Sequence, residues 1–328
     1  MNSPTQTPKR RYAILGTGAI GGYYGACLQR SGQDVHFLLH RDYDHVQQYG
    51  LKIVSIQGDF GLPQVQSYRQ VTDMPPADVV VIALKTTQNT ALLPQLLPPL
   101  LKPDTVIVTL QNGLDVEDTI SELAPQNLLL GGLCFICSNK VGPGTIHHLD
   151  YGSILLGAYD AQRQPVGLLP ELEAIGKDFI AAGIEITLTE DLYLARWRKL
   201  VWNIPFNGLS VVLNATTTEM MTEPHIRQLA ANLMQEVVQA ANRCAQQLTP
   251  SGDRYLSSEI IDTMLTHTAK MKPYRTSMKI DFDEGRPLEV EAILGNPLKA
   301  AQTANVDTPR IEMLYQQLSA LDRRQQES

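Results

Sequence analysis

Gly16-Thr17-Gly18-Ala19-Ile20-Gly21 follows the apolar run Arg11-Tyr12-Ala13-Ile14-Leu15 and opens a helix-like stretch from Ile20 to Ser31. Glycines at this spacing between a strand and a helix suit a phosphate-binding turn. Gly16 permits the turn, Gly18 lets the backbone approach a pyrophosphate, and Gly21 lets helix and strand pack closely. Thr17, Ala19 and Ile20 supply the remaining backbone, whose N–H groups sit at the positive helix end. The bland reading is an ordinary glycine turn. The next strand ends Phe37-Leu38-Leu39-His40-Arg41, with no acid at its tip to take a ribose 2′-hydroxyl. An imidazole and a guanidinium there suit a 2′-phosphate, which favours NADPH over NADH. Asp42 and Asp44 could instead hold Arg41 in a surface ion pair.

Lys85 ends the apolar strand Val79 to Leu84, and Asn112 lies just past the strand Thr105 to Thr109. Ligands of open α/β sheets lie beyond the carboxyl ends of the strands, which aims both side chains at a cofactor crevice. The bland reading of Lys85 is a solvated lysine at a helix start. Further on, Lys199, Asn203 and Asn207 fall at i, i+4 and i+8. Four residues advance a helix by about 400°, so the three share roughly 80° of arc. One cation and two amides on one face suit a small polar anion; the alternative is an exposed polar stripe. Pro205 removes a helical hydrogen bond and is expected to bend or end this helix. Ser277 and Glu289 bracket an acidic turn between two helices. Cys134 and Cys137 form a lone C-x-x-C whose members point to opposite faces of a strand, so they are expected to be buried rather than to share a metal. His147-His148 reads as strand surface. No metal site is expected.

The elements that must position these residues come in two patterns. Strand and helix alternate from Arg11, with a hairpin excursion at Leu51 to Ser55 and Leu62 to Val65. Strands at Leu128 to Cys137, Gly144 to His148 and Ser153 to Leu156 then follow one another directly. From Glu190 onward the pattern is helical, with Ile226, Leu229, Leu233, Val237, Ala240 and Cys244 spaced three and four apart. The expected fold is an α/β Rossmann-type doubly wound sheet plus an all-α C-terminal domain. Residues 1–10 are read as a loose arm, 11–189 as the nucleotide domain and 190–328 as the helical domain.

With 328 residues, 43% hydrophobic, and 27 Lys plus Arg against 34 Asp plus Glu, the chain is globular and acidic. A net charge of −7 argues against nucleic acid as the main partner. No apolar run approaches the roughly 20 residues of a membrane helix. The polar N-terminus and four cysteines point to a reduced cytoplasmic setting.

Taken together, the glycine motif, Ala83-Leu84-Lys85-Thr86-Thr87-Gln88, Gln111-Asn112-Gly113, Arg198-Lys199-Leu200-Val201-Trp202-Asn203, Thr276-Ser277-Met278 and Pro287-Leu288-Glu289-Val290-Glu291 resemble the ketopantoate reductases (2-dehydropantoate 2-reductases) over about Arg11 to Leu321. The resemblance implies NADPH-dependent reduction of ketopantoate to (R)-pantoate in pantothenate and coenzyme A biosynthesis, in a cleft between the two domains. It makes Lys199 the general acid and assigns Asn203, Asn207 and Ser277 to substrate. It gives Asn112 to both substrate and nicotinamide, and Lys85 and Glu289 to the cofactor site. His40 stands where the family usually has the 2′-phosphate arginine, with Arg41 one position later. Thr217 stands where some members have a substrate-binding asparagine, and a backbone contact to the cofactor falls at Cys137. A small 2-oxo acid is the expected partner, and a homodimer is left open. Two other readings stand beside this one: a reductase for another 2-oxo acid or ketone, and a catalytically silent NADP(H)-binding sensor. Lys199 counts against the sensor, which needs no lysine and amide face.

Overall fold

Arg11–Leu15 (β1) sends alternate side chains to both faces of a sheet, and both faces are covered. Tyr12 and Ile14 enter one apolar cluster, Ala13 and Leu15 another. Such double burial is what a parallel strand needs. The computed structural model describes residues 9–249 and 254–327. Of the expected arm, residues 1–8 lie outside the described residues. Arg10 is not loose: its Nη1 meets Asp178 Oδ2 at 2.6 Å.

After the glycine turn comes helix Ala19–Arg30 (α1), then Asp34–Leu38 (β2), Tyr43–Tyr49 (α2), and the antiparallel pair Leu51–Ser55 (β3) and Phe60–Leu62 (β4). The second limb of this hairpin thus falls earlier than Leu62 to Val65. Gln66–Tyr68 (β5), which has no strand pattern of its own, pairs parallel with β2. Val79–Ile82 (β6), Asn89–Leu96 (α3), Val106–Thr109 (β7) and Val116–Leu123 (α4) complete the alternation. Leu129–Gly142 (β8) and Thr145–Ala158 (β9) form one long antiparallel hairpin instead of three short strands. Tyr151 and Gly152, both at positive φ, kink β9 without ending it. Pro170–Ala181 (α5) and Ile186–Thr189 (β10) follow. The described strands run in the order β4-β3-β9-β8-β7-β6-β1-β2-β5, with β10 beside β9. β5, β2, β1, β6, β7 and β8 are mutually parallel, so their carboxyl ends share one edge.

The remaining elements are helices Leu192–Val212 (α6), Thr217–Thr222 (α7), Pro224–Leu248 (α8), Glu259–Ala269 (α9), Ser277–Asp283 (α10), Asn296–Thr303 (α11) and Pro309–Gln326 (α12). A π-turn at Glu291–Gly295 precedes α11. No strand occurs here among the described residues. Leu233, Val237, Ala240 and Cys244 of α8 are buried with Trp197, Val201, Ile204 and Phe206 of α6 in one core. Pro205 does not end α6, which continues to Val212. The interior proline costs about 3 kcal/mol, and the buried side chains on either side of it, each worth roughly 1.5–3 kcal/mol, outweigh that cost.

Two compact units result. The first comprises the described residues of Met1–Gln111, Glu117–Ala161 and Pro165–Leu192; the second comprises those of Asn112–Val116, Gln162–Gln164 and Tyr193–Ser328. The expected break at 189/190 lies just before this division. Two short segments read as part of the first domain group with the second.

Candidate active site

In the first unit, Gly16 has φ +99°, and a Cβ there would lie 2.6 Å from the backbone of Ala83 and Leu84. Only glycine meets both demands. A Cβ on Gly21 would collide with the Gly16 carbonyl, so the helix can start where it does only without one. Gly18 differs: it caps α1 at φ −90°, and nothing lies within 4 Å of where its Cβ would be. That space, in front of a helix end with no acidic residue in its first turn, fits a pyrophosphate. Thr17 Oγ1 donates to Leu38 O at 3.0 Å and ties the turn to β2. Ser138 Oγ donates to Ala19 O at 3.2 Å and Lys140 Nζ to Thr17 O at 3.3 Å, so β8 buttresses the turn from another side.

His40 and Arg41 are exposed just past β2, as a 2′-phosphate site requires. Asp42 does not pair with Arg41. Its Oδ2 accepts from Gly144 N at 2.9 Å and meets Lys140 Nζ at 2.5 Å. Asp44 pairs with Arg69 instead.

Lys85 is half-buried and precedes the 3-10 turn Thr86–Gln88 after β6. Two amides that spacing does not single out, Asn89 and Gln111, fix this turn. Gln111 Nε2 donates to Leu84 O at 2.8 Å and to Asn89 Oδ1 at 2.6 Å, and Asn89 Nδ2 donates back to Gln111 Oε1 at 3.1 Å. Both are buried and cross-satisfied, so the ends of β6 and β7 are locked together. The only local sign of this was an asparagine at a position that the helix buries.

Cys137 is buried beside Ser138, and Cys134 is buried too. All four cysteines are free thiols. A register shift between Phe135 and Ile136 interrupts the strict alternation that would separate the two thiols. His148 is not strand surface. It is 1% exposed, with Ser55 Oγ at 2.8 Å from its Nδ1 and Tyr151 O at 2.8 Å from its Nε2.

In the second unit, Lys199 Nζ donates to Asn112 Oδ1 at 2.7 Å, joining residues 87 apart in sequence. The segment after Asn112 is held tightly. Gly113 sits at φ +111°, where a Cβ would fall 2.5 Å from Ala292 O. Leu114 N donates to Ala292 O at 2.9 Å, Asn296 Nδ2 donates to Leu114 O at 2.7 Å, and the buried Arg196 reaches Gly113 O at 3.4 Å. Arg196, Ala292 and Asn296 position Asn112, and spacing alone could not reveal them.

Asn203 and Asn207, one and two turns along α6, are 6% and 3% exposed. Asn207 Oδ1 accepts from Ser277 Oγ at 3.4 Å and Met278 N at 3.3 Å, which brings Ser277 to the amide face. The Asn203 amide has no hydrogen-bond partner among the described residues, an arrangement that a polar ligand would satisfy. Thr276 caps α10 and shares a 2.8 Å hydrogen bond with Ser210, fixing the start of that helix against α6. Thr217 is fully buried. Its N and Oγ1 both donate to Tyr274 O, which ties it to the segment leading to Ser277. Glu289 is buried in this unit at 5% exposure.

Among the described residues no helix is long and apolar enough to cross a membrane, and no cluster of potential metal ligands occurs. The geometry is that of a glycine turn opening α1 in one unit and a lysine and amide face on α6 in the other.

The sequence pattern of the family described as "Ketopantoate reductase PanE/ApbA" matches residues 12–161, and that of "Ketopantoate reductase PanE/ApbA C terminal" matches 191–322. A 2-dehydropantoate 2-reductase of Nostoc sp. is 58% identical over 96% of both chains. The crystal structure of 2-dehydropantoate 2-reductase from Geobacter metallireducens is 42% identical, with a TM-score of 0.87 over 94% of this chain and 99% of that one. The corresponding structure from Methylococcus capsulatus is 32% identical, with a TM-score of 0.85 over 97% and 98%. The doubly wound sheet and the helical unit have the same explanation: the chain is an oxidoreductase acting on a CH–OH group and belongs to the ketopantoate reductase family.

Proposed function

We propose that the protein reduces 2-dehydropantoate to pantoate with NADPH, as a step of pantothenate biosynthesis. The observation that carries this reading is the contact of Lys199 Nζ with Asn112 Oδ1, on the helix face that also bears Asn203 and Asn207. The turn Gly16 to Gly21 would hold the pyrophosphate, and His40 and Arg41 the 2′-phosphate, with Lys85 alongside. When bound, NADPH supplies the hydride that goes to the C2 carbonyl carbon.

Lys199 holds the proton that the carbonyl oxygen acquires. An ammonium has three donors. Asn112 takes one, which sets the direction of the others. A positive charge beside an oxygen that becomes an alkoxide is worth more in the transition state than in the ground state. Proton delivery then completes the alcohol and leaves a neutral amine, to be reprotonated from water. The Asn203 amide offers a donor and an acceptor to the substrate's hydroxyl and carboxylate. Asn207, held by Met278 N and Ser277, orients the Ser277 hydroxyl on the same face.

The test is the loss of NADPH absorbance with 2-dehydropantoate, pyruvate and other branched 2-oxo acids. 2-Dehydropantoate should show the highest kcat/KM by at least about tenfold, or roughly 1.4 kcal/mol. Faster turnover of another 2-oxo acid would assign the scaffold to that substrate. No oxidation with any of them would leave a nucleotide-binding protein without this chemistry.

A further inference from the structure

We propose that Arg69 is a further ligand of the coenzyme's 2′-phosphate and a determinant of NADPH over NADH; this rests on the reading of the first unit as an NADPH site. β5 lies beside β2 in parallel register, His36 opposite Gln66, Phe37 opposite Ser67 and Leu38 opposite Tyr68. Leu39 N then donates to Tyr68 O at 2.9 Å. Arg69 therefore leaves the sheet at the same carboxyl edge as His40 and Arg41, where ligands of such sheets bind.

Its side chain turns over the segment that follows the β2 tip. The guanidinium carbon lies 4.7 Å from the centroid of the Tyr43 ring, and Nη2 meets Asp44 Oδ1 at 2.6 Å. Contact with the ring face and with Asp44 restrains the guanidinium, and a restrained fork loses little freedom on taking a second oxyanion. Arg69 and Asp44 side chains are 56% and 85% exposed. An ion pair that open contributes little, so a phosphate dianion can displace or share it, with bidentate geometry as its advantage. The other nearby carboxylate does not oppose an anion, because Lys140 and Gly144 N already engage Asp42. The edge thus presents His40 and Arg41 just past β2 and Arg69 just past the neighbouring β5.

The contrasting role is structural: Arg69 pins α2 through Asp44 and touches no coenzyme. The full-length protein and its Arg69→Ala, Arg69→Lys and Asp44→Asn variants separate the two. Dissociation constants would be measured calorimetrically for NADPH, NADH, 2′,5′-ADP and 5′-ADP. Arg69→Ala should weaken NADPH and 2′,5′-ADP at least tenfold and leave NADH and 5′-ADP within about twofold. Arg69→Lys should fall between the two. Asp44→Asn, which removes the pair and keeps the cation, should leave NADPH affinity equal or tighter. The proposal is overturned if Arg69→Ala weakens all four ligands alike, if it changes none, or if Asp44→Asn costs as much as Arg69→Ala. Failure of the underlying reading shows on the unmodified protein, as equal affinity for 2′,5′-ADP and 5′-ADP. A preference for another 2-oxo acid would overturn the assigned substrate and leave Arg69 in place.

Discussion

On the proposed reading Lys199 is the acid, and its 2.7 Å contact with Asn112 fixes one of the three N–H directions of its ammonium. Lys199→Ala removes proton and charge together. General acid catalysis is typically worth about 10²–10⁴-fold, so kcat should fall at least a hundredfold while NADPH affinity and Tm stay nearly constant. Steady-state rates within about threefold of the unmodified enzyme would mean that the lysine is a bystander. At the other unit's edge, Arg41 is exposed and Asp42 is committed to Lys140. NADPH should then exceed NADH in kcat/KM by at least about tenfold, roughly 1.4 kcal/mol. Arg41→Ala should shrink that ratio through the NADPH value alone. Equal use of both coenzymes by the unmodified protein would rule out a 2′-phosphate site here.

Elements position these side chains through a few close approaches. The segment from Asn112 to Leu114 is the sharpest case, since Gly113 combines a left-handed φ with a carbonyl where a Cβ would go. Gly113→Val meets both obstacles. The left-handed conformation costs about 1–2 kcal/mol and overpacking against backbone a similar amount. Urea unfolding should show a loss of at least about 2 kcal/mol, and kcat should fall because Asn112 moves away from Lys199. An unchanged midpoint would mean that the loop yields easily and does not fix Asn112. The Asn89–Gln111 amide pair does for β6 and β7 what Ala292 and Asn296 do for this loop.

For the whole molecule, nucleotide binding is linked to stability. At free NADPH a hundredfold above Kd, the folded state gains about 2.7 kcal/mol, and Tm should rise accordingly. Gly18→Val is a clean probe, because φ −90° suits valine and the space around it is open. The variant should fold with unchanged helix content yet lose both the NADPH shift and NADPH binding by fluorescence titration. A retained shift would mean that the phosphates lie elsewhere.

The sequence by itself determined whatever depends on local period and covalent spacing. The glycine turn, the doubly buried strand at Val79, the helical second half and the Lys199, Asn203 and Asn207 face were legible because 2.0 and 3.6 residue periods are printed in side-chain polarity. Tertiary structure alone decided the rest. β5 has only three residues and no alternation, and it exists because the edge of β2 offers it hydrogen bonds. α6 continues through Pro205 because the core around it outweighs one lost backbone bond. His148 is buried because β9 is one continuous strand beside β3, where Ser55 can reach its ring. Asn112 meets Lys199, and Arg69 lies over the Tyr43 ring, through chain closures that no local pattern encodes. Such pairings depend on which surfaces pack together, a property of the whole fold rather than of any segment.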